Sequence, residues 1–189
     1  MQSKFDNFEL SIKELIDFAK SVQSEILNGT PSYTDNTQFY TKSLLIMGCI
    51  YLETYLKELG YILCDDLTNK VQGIKIPKHI IDITAGKDLK GKNTNFVLNF
   101  THDNIDKRIS GNVSKTIDLF GLFLVNLTNS SIFNRHKSTI ESYVQKRNEI
   151  IHQNNIANNV SIGDIIGWLE QDFLPYAESI LRSIKRKYP

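Results

Sequence analysis

The chain has 189 residues, a formal net charge of +1, 41% hydrophobic residues and 23% charged residues. This length allows one domain with a sizeable core, and we predict a single domain over residues 1–189. No run of about 18 apolar residues occurs, which argues against a membrane span. The polar residues at the start of the chain predict no secretory signal. We therefore expect a cytoplasmic protein without membrane contact.

The two cysteines, Cys49 and Cys64, lie fifteen positions apart in one helical pattern. On a straight helix this separation is about 22 Å, which is too far for a disulfide. Both are expected to be small buried hydrophobic residues in a reducing compartment. Apolar surroundings raise the pKa of a thiol, which argues against a nucleophilic role.

Charge is unevenly distributed along the chain. Residues 1–66 carry five lysines and ten acidic residues, whereas residues 67–189 carry 17 basic and 11 acidic residues. The basic excess is densest from Lys70 to Lys92. This pattern is a weak indication of contact with a polyanion, and a solvated lysine-rich loop is the simpler explanation.

Apolar residues at helical spacing predict a first helix over about Phe5–Leu27 and a longer one over about Thr37–Asp65. Asn28-Gly29 ends the first of these helices. Glu53 lies at the edge of the apolar arc of the second, where most glutamates are solvated.

Residues 66–112 are less regular and predict an insertion between bundle helices. Within them, the few apolar positions of Asn93–Phe100 fit either a helix or a short strand. Insertions of this kind often carry function, but the residues indicate no specific role for this one.

Three further helical patterns follow, over about Ser114–Leu127, Asn134–His152 and Ser161–Lys185. The last begins with a Ser-x-x-Asp capping box, and Pro175 inside it predicts a kink or break. Four or five long amphipathic helices without alternating strands favour an all-α, up-down helical bundle.

Arg147 lies in the middle of an apolar stripe on the helix over Asn134–His152. The stripe comprises Ile140, Tyr143, Val144, Ile150 and Ile151. An arginine in such surroundings must be paired, because an unpaired buried charge is very costly. Its partner would be a structural carboxylate, a second subunit or a phosphate.

Arg147 and His152 are five positions apart, which places them about 140° apart on an ideal helix. We expect the asparagine-rich residues that follow to end the helix here, so that a frayed last turn brings the two side chains together. Arginine then stabilises charge on a phosphoryl group, and histidine moves a proton. Asn148 supplies a polar group beside them.

Other chemistry is not indicated. His79, His102 and His136 have no metal-like spacing with acids or cysteines, and a structural or solvated role is expected for them. Gly86 and Gly91 are isolated, so no phosphate-binding loop is predicted. We expect no metal ion and no cofactor.

The run Arg147–His152 resembles the Arg-x4–6-His motif of HEPN domains, and Cys49–Leu59 resembles the early helix of the bacterial RiboL-PSP group and a related HEPN group. The resemblance implies a four- to five-helix bundle and a homodimer in which two copies of the motif build one cleft. It also implies a metal-independent endoribonuclease with a toxin or antiviral-defence role, with Arg147, His152 and Asn148 acting on RNA. An antitoxin or an associated defence protein would be a further partner.

Two alternatives remain open. A non-catalytic HEPN-like module would bind nucleotide, RNA or a partner protein. A helical scaffold would use Arg147 only to complete a buried ion pair, with Glu53 or another carboxylate of the same subunit.

Overall fold

A computed structural model describes residues 1–72, 100–153 and 160–188, apart from the side chains of Gln72, His152 and Gln153. Throughout these ranges the chain forms helices joined by short turns, and no strand occurs in them. The predicted all-α bundle is confirmed.

Helix α1 spans Gln2–Leu27 and buries one apolar face, as its 3.6-residue spacing predicts. Gly29 follows with φ +72°, a left-handed conformation that glycine adopts at low cost. The short helix α2 spans Pro31–Thr34, and its first residue is the proline that a first helical turn tolerates.

Helix α3 spans Thr37–Gln72 and is therefore longer than predicted. The first residues of the predicted insertion continue this helix, with Lys70 paired to Asp66 one turn before it. The insertion as predicted is thus too long at its start. Most of its remainder lies outside the described residues, including the lysines from Lys75 to Lys92 and all of Asn93–Phe100 except its last residue.

The chain is again described from residue 100. Helix α4 spans His102–Asp106 and helix α5 spans Val113–Gly121. A 3-10 turn at Leu127–Asn129 leads into helix α6, which spans Ser131–Gln153.

Helix α7 spans Ile162–Trp168 and begins with the predicted capping box, in which Ser161 and Asp164 exchange hydrogen bonds. A π-helical turn at Leu169–Phe173 connects it to helix α8, which spans Leu174–Lys187. The predicted kink or break near Leu174 takes the form of this π-helical turn, which interrupts the regular α-helix directly before Leu174. Pro175 lacks a backbone donor, and helix α8 follows the π-helical turn directly, without a loop.

Helix α3 packs against α1 and α6, and α6 packs against α8. The buried apolar residues of these helices form one hydrophobic cluster, which includes Ile12, Leu52, Leu56, Phe120, Phe133, Tyr143, Phe173 and Ile180. Within the described ranges, no helix has the length and apolar character needed to cross a membrane.

Candidate functional site

The contact between α3 and α6 is close because α3 carries a glycine where the two helices meet. A Cβ atom on Gly48 would lie 2.5 Å from the hydroxyl oxygen of Tyr143, so the tyrosine ring needs a glycine there. Tyr143 is fully buried, and its hydroxyl donates to the carbonyl oxygen of Leu44 at 3.2 Å. Arg147 follows one helical turn later, so this contact also determines where Arg147 lies along α3.

Arg147 meets Glu53 across the α3–α6 contact. Its Nη2 donates to Oε2 of Glu53 at 3.4 Å, and its Nη1 donates to Oδ1 of Asn148 at 2.9 Å. The side chains of Arg147 and Glu53 are 19% and 24% exposed. Charge-assisted hydrogen bonds are usually about 2.7–2.9 Å long, so this ion pair is loose and engages one guanidinium nitrogen only.

The guanidinium of Arg147 has more donors than these two bonds use. Arginine presents five N–H donors in a planar fork. Its Nε is buried and has no hydrogen-bond partner among the described residues. Arg147 is therefore neither free in solvent nor locked by a bidentate carboxylate.

Glu53 is covered from its other side by the turn before α5. Gly111 has φ +63°, and a Cβ atom there would lie 3.1 Å from Oε1 of Glu53. Glu53 is therefore not simply solvated, as most glutamates at such an edge are, because its side chain is only 24% exposed and pairs with Arg147, the partner that the sequence had suggested for it. This turn could not be placed beside Glu53 from the sequence, because 58 positions separate Glu53 from Gly111.

Cys49 lies one turn before Glu53 on α3 and is 1% exposed. Burial raises the pKa of its thiol to about 12, the nearby Glu53 charge adds to the rise, and the positive Arg147 partly opposes it. The thiol stays protonated near neutral pH, which agrees with the prediction that Cys49 is no nucleophile. Both cysteines are buried and free, as predicted.

The structure places the three predicted site residues on α6. Asn148 lies beside Arg147 and accepts one of its hydrogen bonds through Oδ1. The backbone of His152 belongs to α6, whereas its side chain lies outside the described residues. The helix remains regular through Gln153, so the unwinding predicted to bring His152 toward Arg147 does not begin before that residue.

Two exposed aliphatic side chains flank the Arg147–Glu53 pair in sequence. Ile50 is 40% exposed and lies three residues before Glu53 on α3. Ile151 is 47% exposed and lies four residues after Arg147 on α6. Residues three or four apart lie on the same side of a helix, so apolar surface adjoins the charged pair. The predicted apolar stripe of α6 is thus buried except at its last member, Ile151.

The sequence model of the RiboL-PSP-HEPN family matches residues 6–186, which is nearly the whole chain. No curated protein and no solved structure showed significant similarity to the chain.

Proposed function

The chain belongs to the RiboL-PSP-HEPN family, and from that premise we propose that it is an endoribonuclease that cuts RNA without a metal ion. Family membership supports an RNA-related or nuclease module. The observation that carries the proposal is the state of Arg147. Its guanidinium is held at the α3–α6 contact by one loose bond to Glu53, at 3.4 Å, and by Asn148. A guanidinium held in this way can exchange a carboxylate for a phosphate oxygen at little cost.

In the proposed reaction, the 2′-hydroxyl of RNA attacks the adjacent phosphorus and the 5′ oxygen of the next nucleotide leaves. Arg147 stabilises the charge that develops on the phosphoryl oxygens. His152 removes the proton of the 2′-hydroxyl or donates a proton to the leaving oxygen. Asn148 orients the guanidinium through its side-chain oxygen. The products are a 2′,3′-cyclic phosphate and a free 5′-hydroxyl.

We further propose that two copies of the chain associate and join their motifs in one cleft. The exposed side chains of Ile50 and Ile151 support this, because they place apolar surface beside the Arg147–Glu53 pair. Family membership leads us to propose a toxin or antiviral-defence role as well, in which an antitoxin or an associated defence protein would be the protein partner.

The test is cleavage of labelled single-stranded RNA by the purified chain and its variants. His152→Ala should lower the cleavage rate by about 100-fold or more, as loss of a general acid or base does. Arg147→Ala should lower it by about 100- to 1000-fold. Arg182→Ala is the matched control, because this arginine forms only a surface pair with Glu178. Its cleavage rate should equal that of the parent chain.

Substrate and metal controls complete the test. RNA with 2′-O-methyl groups throughout should not be cut, because its attacking oxygen is blocked. Cleavage should continue in EDTA, with circular dichroism used to verify that the helices are intact. A purified chain that cuts no RNA, or an H152A variant that cuts at the parental rate, would refute the catalytic proposal.

The second candidate is a non-catalytic module that binds nucleotide, RNA or a partner protein. The pairing of Arg147 with Glu53 inside one subunit favours this candidate, because one nitrogen of the guanidinium already has a carboxylate partner. This candidate predicts that the chain binds labelled RNA or nucleotide and leaves it intact, and that R147A weakens binding while H152A does not.

A further inference from the structure

A second group of reactive side chains lies at the junction of α3 and α4. The thiol of Cys64, the carboxylate of Asp65 and the imidazole of His102 each offer one atom, and these atoms all lie within 4.8 Å of one another. Linear spacing predicted no metal site for His102. The fold reveals the group because the chain returns from residue 100 to lie beside the C-terminal part of α3.

Contacts around this group position its members. Nε2 of His102 lies 2.8 Å from Oδ1 of Asp65. The imidazole ring stacks on Tyr61 with ring centres 4.0 Å apart and an interplanar angle of 10°. The Cys64 thiol, which is 2% exposed, donates to the carbonyl oxygen of Phe100 at 3.5 Å. One side of the group is therefore fixed by packing, while the exposed Asp65 and His102 leave the other side open.

One sulfur, one nitrogen and one oxygen donor form a ligand set that suits zinc. Zinc bonds are about 2.3 Å to sulfur and about 2.0–2.2 Å to nitrogen or oxygen, so donors at tetrahedral angles lie about 3.3–3.7 Å apart. The closest pair here is 2.8 Å apart and the widest spacing is within 4.8 Å. To reach the zinc geometry, the close pair must widen by about 0.5 Å and any pair near 4.8 Å must approach by about 1 Å, and the exposed side chains of Asp65 and His102 are the ones that can rotate to do so.

We propose that Cys64, Asp65 and His102 bind one zinc ion, with a water molecule in the fourth position. Binding replaces the thiol proton of Cys64, which is released to solvent, and it requires the neutral form of His102. The ion joins α4 to α3 and so fixes the point where the chain returns to the bundle.

This site is separate from the proposed cleavage site and does not depend on it. Asp65 lies twelve positions after Glu53 on α3, which is about 18 Å along the helix axis. The proposed ion is therefore too distant to contact a phosphate at Arg147.

Cobalt(II) is the probe for the test, because a cobalt–thiolate bond produces a charge-transfer absorption band. Titration of the metal-free full chain should give this band with saturation at one equivalent, and zinc should then displace cobalt. Cys49→Ala is the matched control, since Cys49 is the second buried cysteine and lies outside the group. It should keep the band, whereas Cys64→Ser should lose it.

His102→Gln and Asp65→Asn extend the test to exposed residues whose replacement leaves the core intact. Loss of an outer-shell group costs about 10- to 100-fold in metal affinity, so loss of a direct ligand should cost at least about 100-fold. Zinc should raise the melting temperature of the parent chain and of C49A, but not that of H102Q. The proposal is overturned if the parent chain gives no saturable band, if C64S keeps the band, or if H102Q binds zinc as tightly as the parent chain.

Discussion

The pairing of Arg147 with Glu53 is the residue-scale feature on which the candidate site depends. Both side chains are partly exposed, their single contact is 3.4 Å long, and the buried Nε of Arg147 has no partner among the described residues. A loose ion pair adds little to the free energy of unfolding, and a buried donor without a hydrogen-bond partner lowers it. The site is therefore expected to add little to the stability of the bundle.

Arg147→Ala should change the free energy of unfolding by about 1 kcal/mol or less. A structural buried ion pair that loses one partner costs about 3–5 kcal/mol instead. Urea denaturation monitored by circular dichroism separates these values. Arg182→Ala, which removes only a surface pair, is the reference variant. A loss of several kcal/mol for R147A would make the arginine a scaffold residue.

Gly111→Ala should destabilise the chain by about 1–2 kcal/mol, because its left-handed backbone disfavours a side chain. The added Cβ would also press on the Glu53 carboxylate, so the cleavage rate should fall as well. Gly121→Ala is the control, since a Cβ there meets no atom within 4 Å. Equal unfolding midpoints for G111A and the parent chain would contradict the described turn.

Part of the site could be predicted from the sequence. Arg147 stands out because a charge interrupts an apolar stripe, and its neighbours follow from helical spacing. The sequence suggested Glu53 as one possible partner of Arg147, and the structure pairs the two side chains. Gly111 could not be assigned to the site, because 36 positions separate it from Arg147. Helical periodicity indicates which face is buried, but not which residue of another helix lies opposite.

At the scale of elements, the distance between α3 and α6 depends on Gly48. Gly48→Ala should cost about 1–3 kcal/mol, because its Cβ collides with the Tyr143 hydroxyl and overpacks the core. Tyr143→Phe removes that hydroxyl, so the double variant should lose less stability than the sum of the two single variants. A double-mutant cycle in urea measures this coupling. Additive losses would show that the two residues do not touch.

The N-terminal cap of α7 makes the stability of the folded chain depend on pH. Hydrogen bonds from the Ser161 backbone and side chain lower the pKa of Asp164 from its ordinary value of 3.8. Folding therefore favours the carboxylate, and this contribution is complete above pH 3.8 and lost as the pH falls through the lowered value.

Asp164→Asn removes this titration while keeping an acceptor oxygen. The difference in thermal midpoint between the parent chain and D164N should be largest near neutral pH and should vanish in acid. Gln171→Asn, an exposed amide substitution elsewhere on the same helical segment, controls for general effects of acid. A difference that is constant with pH would contradict the capping role of the carboxylate.

The bounds of the helices were the part of the fold that the sequence predicted best. Spacing located α1, α6 and the capped start of α7 within a few residues, because each buries one continuous apolar face. The π-helical form of the interruption at Leu169–Phe173 could not be predicted, because Pro175 indicates only that one regular backbone hydrogen bond is missing. Whether the backbone breaks or widens there depends on the packing around it.

At the scale of the whole molecule, the proposed homodimer predicts a concentration-dependent particle size. Ile151→Glu places a charge on the apolar surface beside Arg147 and should convert dimers to monomers, as measured by analytical ultracentrifugation. Leu27→Glu is the control, because Leu27 is 80% exposed at the end of α1, away from Arg147 in the sequence. A parent chain that is monomeric at all concentrations would refute the dimer. Dissociation by L27E but not I151E would place the interface elsewhere.

The long separation between Glu53 and Arg147 has a consequence for the order of events during synthesis. Helix α3 is complete in the growing chain long before the ribosome has made α6. The chain is synthesised from its N-terminus, so the Arg147–Glu53 pair cannot form until α6 has emerged and docked. An incomplete chain that ends before residue 147 carries Glu53 but none of the three proposed catalytic residues. If the chain cuts RNA, translation itself therefore delays the activity until most of the polypeptide has been released from the tunnel.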